Sequence, residues 1–184
     1  VERARRMKSP LLPNVLEEEI ACLLHRKVND IERARKDVDE LRISFPNYTR
    51  GLLWESEIHD RSGNIDRAIA SLTEYLSVRP NDPYALFQRA RHQVSRGRLG
   101  AAIEDLSAVK RTNPLALELQ PRLLLGRLQQ RLGRKDLWIA ELEALAKGIV
   151  RADAKFEVKG DYALVKSKKD PQLREIKIAA RILE

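Results

Sequence analysis

Two stretches of this chain lie over one another at a shift of 34 residues. Leu52, Ser56, Gly63, Ala68, Ile69, Leu72 and Pro80 of the first match Leu86, Ala90, Gly97, Ala102, Ile103, Leu106 and Pro114 of the second, and only Ser56/Ala90 changes residue. Self-similarity at a fixed period takes precedence over any single-core reading of a sequence. Each copy holds two apolar-periodic segments joined by a short turn at Gly63 or Gly97. Glycine suits the left-handed conformation that ends a helix, and the closing proline cannot continue a helix interior. Small residues at Ser56/Ala90 and Ala68/Ala102 let two helix axes approach closely. The pattern predicts helix-turn-helix units that bury their apolar faces only by stacking on their neighbours.

The register extends both ways. Val15 to Tyr48 is a weaker copy in which Asn29 replaces the turn glycine, and asparagine is the next-best residue for that backbone. Beyond Pro114 the register slips by two residues and resumes at Leu125-Gly126, Gly133, Ile139 and Leu142, with Trp138 where alanine is expected. Gly160, Leu173, Ile176 and Ala179 continue the period, and Asp170-Pro171 resembles a helix start. A fifth helical pair closed by a helix from Pro171 to Leu183 is therefore expected, in preference to a β-hairpin turning at Lys159-Gly160-Asp161. The compact column then reads Cys22, Ser56, Ala90, Gly126, Gly160, and the apolar column Val38, Leu72, Leu106, Leu142, Ile176. The expected organisation is a basic linker or upstream tail over 1–14, then one helical repeat domain over 15–184. Its units fall near 15–48, 49–82, 83–118, 119–152 and 153–184. The fold class is all-α, an α-solenoid of about five such pairs.

Composition agrees with a globular chain: hydrophobic residues make up 43% and charged residues 34% of the 184. No apolar run approaches the ~18 residues of a membrane span. The single Cys22 excludes an internal disulfide framework and suits a reducing, cytoplasmic compartment. The sequence opens at Val1 rather than Met, so a segment upstream is expected. The formal net charge of +8 favours acidic or polyanionic partners, although basic residues also decorate solvated helix faces.

These columns resemble the tetratricopeptide repeat, whose pattern is W-x2-L-G-x2-Y, then A, F and P within one period. Leu86, Ala90, Ala102, Leu106 and Pro114 match that spacing, and Leu125-Gly126 supplies the Leu-Gly pair. Departures make the inter-helix seam more polar: Glu55 and Arg89 stand where leucine is usual, and His59, Gln93 and Gln129 where an aromatic is usual. Glu55 and Arg89 occupy equivalent positions in adjacent units, which suggests an ion pair. The resemblance implies a right-handed superhelix whose first helices line a groove for a partner segment, and so binding rather than chemistry.

The groove-facing registers implied by the resemblance hold Arg26 and Lys27; Arg50, Trp54, Glu57 and Arg61; Tyr84, Phe87, Gln88 and Arg91; Arg127 and Arg131. Arginine with tryptophan or tyrosine is a usual hot-spot composition, and an acidic peptide with an apolar anchor would fit it. A plainer structural reading packs Trp54 and Phe87 between helices and leaves the arginines solvated. Members that clamp a terminal carboxylate use a fixed Lys/Asn, Asn, Lys/Arg set. The corresponding positions carry Glu19, Leu23, Trp54, Tyr84 and Gln88, or Leu53, Glu57, Gln88, Gln120 and Leu124, and neither register fits. The competing functions are nucleic-acid binding, with Trp54, Tyr84 and Phe87 stacking on bases, and a scaffold that self-associates end to end.

No Gly-rich phosphate loop, HExxH, GxSxG or paired-cysteine motif occurs, so neither an enzyme nor a cofactor is expected. His25, His59 and His92 recur at nearly the repeat spacing. Metal ligands must converge at roughly 2 Å from one ion, whereas helices pack about 8–10 Å apart. Structural histidines are expected, the first two on the buried seam, and Cys22 is expected in the core rather than as a nucleophile.

Overall fold

The computed structural model describes residues 12–112, 119–141, 154–159, 162–167 and 176–179. They fall into two compact units, Val1–Arg98 and Leu99–Glu184.

In the first unit five helices follow one another: α1 (Leu12–Leu23), α2 (Ile31–Ser44), α3 (Gly51–Arg61), α4 (Ile65–Val78) and α5 (Pro83–Ser95). Each packs on the next in the chain. The turns that separate the helices of a pair fall where the period placed them. Asn29 has φ +49°, Gly63 +74° and Gly97 +71°, the left-handed region where glycine carries no Cβ penalty. Helix starts are capped by local chemistry. Asp30 accepts from the Arg33 N–H at 3.1 Å, and Asp82 from the Ala85 N–H at 3.0 Å with Pro83 in the first turn behind it. The second Asp82 oxygen accepts from the Tyr75 hydroxyl at 2.8 Å, tying the end of α4 to the start of α5. Burial, with help from Asp82, pushes the Tyr75 phenol up to about 12.

The core follows the apolar columns. Leu16, Ile20, Leu23 and Leu24 of α1 and its exit cluster with Ala34, Val38 and Leu41 of α2 and Ile58 of α3. Further on, Ala68, Leu72, Tyr75, Leu76, Ala85, Leu86 and Ala90 are buried. Ser56 and Ala68, the small pair of the second repeat, are 3% and 0% exposed.

Two expectations for the first repeat are corrected. Helix α1 begins at Leu12 and takes Pro13 into its first turn, so the segment over 1–14 is not wholly a linker. Cys22 is exposed rather than in the core. Leu16 and Ile20 lie 36 residues before Leu52 and Ser56, so α1 is slipped by two residues against the later first helices. The slip turns Ile20 inward and Cys22 outward, because a shift of two residues rotates a helix face by more than half a turn.

In the second unit α6 (Leu99–Thr112) packs on α7 (Leu119–Arg131), and helix resumes over 135–141. Gly133, with φ +73°, makes the turn between the last two. Trp138, only 2% exposed, stands where a repeat ordinarily places alanine. Gly126 accommodates it: a Cβ there would lie 2.4 and 2.5 Å from the Cε3 and Cζ3 atoms of the Trp138 ring. Glu141, also buried, is joined to Lys110 and lies 3.8 Å from Arg122.

The fifth helical pair is not found. Strands β1 (Ala154–Lys159), β2 (Tyr162–Ser167) and β3 (Ile176–Ala179) form an antiparallel sheet in that order. The hairpin alternative at Lys159-Gly160-Asp161 is the correct one, since Lys159 pairs with Tyr162. The expected helix Pro171–Leu183 gives way to strand over 176–179, and its remaining residues lie outside those described. The physical reason is the two-residue alternation of the segment. Phe156 and Val158 pair with Val165 and Ala163, which pair in turn with Ile176 and Ile178, so every position in this set shares one face. The charged positions Lys155, Glu157 and Lys159 share the other. The helical-repeat reading therefore holds for the described helices between Leu12 and residue 141, and the described residues beyond 141 are β. No helix among the described residues is long and apolar enough to cross a membrane.

Candidate functional site

The residues of interest stand along α3. Arg50, the N-cap residue, and Trp54, Glu57 and Arg61 recur at intervals of three and four and so share one face of that helix, with Leu53 beside Trp54 one turn before Glu57. Ala21 of α1, Leu24 just beyond it and Tyr84 at the start of α5 meet that face. Together these eight residues line a cleft of about 490 Å³ formed by the first helices of three successive pairs.

The cleft is held by charge-assisted bonds. The Trp54 indole N–H donates to Glu17 Oε1 at 2.9 Å, and Arg50 Nε lies 3.1 Å from the same oxygen. Arg61 donates from Nε to Glu57 Oε1 at 2.6 Å and from a terminal nitrogen to Asn29 Oδ1 at 3.2 Å. Tyr84 is 53% exposed, an unusual exposure for an aromatic side chain. Desolvation and then the Glu57 carboxylate raise its phenol above the ordinary value, so it enters the cleft as a neutral hydroxyl. The Tyr48 phenol is raised by burial and then by the nearby Glu17 carboxylate, and its hydroxyl donates to Asn14 Oδ1 at 3.4 Å.

Of the residues singled out from the sequence, Arg50, Trp54, Glu57, Arg61 and Tyr84 are brought together here. Phe87 is not: it is 8% exposed and packs into the core, as the plainer reading allowed. Trp54 does both, packing against the first core cluster while walling the cleft. Arg91, two turns beyond Tyr84, is exposed and donates to Gln88 Oε1 at 2.8 Å. Arg26 and Lys27 lie in the turn after α1 because that helix ends at Leu23, and both are exposed. Arg127 and Arg131 lie one turn apart on α7 in the second unit. Sequence reasoning missed Ala21, Leu24, Leu53 and the buried Glu17. Leu53 carried a signal, since it shares the helical stripe of Arg50, Trp54 and Glu57. Glu17 carried none, because its partners are 33 and 37 residues away in sequence.

Comparison with solved structures bears on the fold. No protein-family model and no curated protein matches the chain. Among solved structures, the MamA RS-1 ArsTM double mutant superposes with a TM-score of 0.66 over 79% of each chain at 16% identity. MamA 41-end from Desulfovibrio magneticus RS-1 gives 0.58 at 18% identity, covering 74% of this chain and 73% of that one. A tetratricopeptide repeat protein from Parabacteroides merdae ATCC 43184 gives 0.66 at 17% identity, covering 77% of this chain and 55% of its own. The fold is that of the tetratricopeptide repeat.

Within this tetratricopeptide-repeat fold the polar seam residues find local partners. Glu55 accepts from Arg42 at 2.6 Å and from Ser71 at 3.2 Å, so the second helices supply its contacts. Arg89 donates to Thr73 Oγ1 at 3.3 Å. Of the histidines, His25 is exposed, against expectation, because the early end of α1 places it in the turn. His59 is half-buried with its Nδ1 unpartnered, and His92 is buried with Nδ1 3.7 Å from Asp60. No group of three metal-ligating side chains gathers among the described residues.

Burial lowers the His92 pKa from the ordinary 6.5, with Asp60 opposing and Arg91 reinforcing the shift. The His59 pKa is lowered too, again chiefly by burial. A histidine with a depressed folded pKa contributes stability that is complete above its unfolded value and is lost as pH falls through the folded one. The melting temperature is therefore expected to fall as pH drops from about 6.5 toward 5. His92→Gln should flatten that part of the profile; an unchanged slope would exclude His92 as its source.

Proposed function

We propose that the chain is a protein-interaction module that holds a segment of a partner in the cleft between α1, α3 and α5. The observation that carries this reading is the convergence of Trp54, Tyr84 and Leu53 with Arg50 and Arg61 on one concave site. Aromatic and arginine side chains supply most binding energy at protein interfaces because they combine large contact area with directional donors. An acidic or apolar-anchored segment suits such a lining, and Arg91 extends the basic character beyond Tyr84. The lone cysteine fits a reducing, cytoplasmic setting.

Capture from source lysate by the wild-type chain and by a Tyr84→Ala/Arg91→Glu variant, compared quantitatively, tests the cleft. Both side chains are exposed, so helicity and melting should be retained while specific capture is lost. Undiminished capture would remove the cleft from consideration. The second reading, nucleic-acid binding, draws on the net charge of +8. Titration with a labelled oligonucleotide at two salt concentrations distinguishes it, because phosphate contacts give a steep salt dependence.

A further inference from the structure

The cleft contains two arginines, and both are already occupied. Arg50 lies 3.1 Å from Glu17, and Arg61 lies 2.6 Å from Glu57. Glu17 does not line the cleft itself but holds two residues that do, Arg50 and Trp54; counted with it, two guanidinium groups stand against two carboxylates and the formal charges cancel. The Glu17 side chain is only 11% exposed, so its carboxylate is a fixed part of the site rather than a mobile surface group. The rest of the lining, Ala21, Leu24, Leu53, Trp54 and Tyr84, is apolar or aromatic. A carboxylate entering here could reach only the guanidinium nitrogens that Glu17 and Glu57 leave free, and would gain little net attraction because an internal carboxylate already balances each arginine. An uncharged apolar side chain faces neither obstacle and gains the burial.

We infer that the cleft takes an uncharged anchor, one bulky aliphatic or aromatic side chain of a partner segment, and that Glu17 sets this preference. The inference rests on the partner-binding reading and narrows it, since it excludes an acidic residue from the central position. Glu17 acts in two ways: it cancels Arg50, and it fixes the Trp54 ring as a wall of the cleft through the indole hydrogen bond. The volume of about 490 Å³ lies within the range of small binding clefts and matches one large side chain with its flanking backbone, not a folded surface. Acidic residues flanking the anchor remain compatible with the site, because Arg91 lies two turns beyond Tyr84 on the same face of α5.

The test uses end-blocked heptapeptides identical except for a central Leu, Phe, Asp, Lys or Gly, titrated into the whole chain. The readout is the Trp54 indole N–H resonance, assigned by its loss in Trp54→Phe. The Leu and Phe peptides should saturate it at concentrations roughly tenfold below the Asp and Gly peptides. Glu17→Gln keeps an oxygen for the indole and removes the charge, so the Asp peptide should gain about fivefold while the Leu peptide is unchanged. Glu57→Gln, at a more exposed position, should move the Asp peptide in the same direction. An Asp peptide that binds the wild type as well as the Leu peptide would overturn the uncharged anchor and leave the cleft standing. A Trp54 resonance that no peptide moves would overturn the cleft as well. If neither substitution alters the Asp-to-Leu ratio, the internal carboxylates do not set the preference.

Discussion

Gly126→Ala is expected to destabilise the second unit by roughly 1–3 kcal/mol, although alanine is the better helix former by about 1 kcal/mol. The added methyl would sit 2.4 Å from the Trp138 ring, and that ring is 2% exposed. Steric overlap with a rigid, buried neighbour outweighs backbone propensity. Gly100→Ala supplies the control, because nothing lies within 4 Å of a Cβ at that helical position. It should be neutral or stabilising by up to about 1 kcal/mol. Trp138→Ala alone should cost roughly 3–5 kcal/mol by emptying the site. In Gly126→Ala/Trp138→Ala the methyl has nothing to strike, so the double change should cost less than the sum by about 1–3 kcal/mol. Urea unfolding of the four variants measures the cycle, and strict additivity would mean that the two residues do not fit one another as described.

Leu72→Ala should cost roughly 2–5 kcal/mol. Leu72 is 1% exposed in the middle of α4, and it belongs to the column that also buries Val38. In stacked repeats each pair is stabilised mainly by its neighbours, so the loss should spread. Hydrogen exchange is expected to rise together in α3, α4 and α5, and a rise limited to α4 would show that the pairs fold independently.

The turns were the most legible part of the fold. A glycine or asparagine at a fixed period states a backbone requirement that no distant contact has to supply, and all four positions adopt positive φ. The buried columns were legible for the same reason, since helical spacing alone decides which residues share a face. Where reading failed, the missing information was tertiary. The sequence shows Gly126 and Trp138 but not that one makes room for the other. The two-residue slip of α1 that turns Ile20 inward and Cys22 outward is likewise marked by no residue of α1. In the C-terminal segment the 34-residue echo at Gly160 and Ile176 competed with two-residue alternation. Pairing across three strands decided for the alternation, because that register collects Phe156, Val165 and Ile176 on one face.

The stripe on α3 was visible in the sequence as a helical run of Arg50, Trp54, Glu57 and Arg61. Its charge state was not. By itself the sequence determined a repeating pair of helices, their turns and their buried faces, because those depend on residues a few positions apart. Only the tertiary structure decided that Glu17 reaches Arg50 and Trp54 and leaves the cleft neutral, because an ion pair depends on distance in space, and those residues are far apart along the chain.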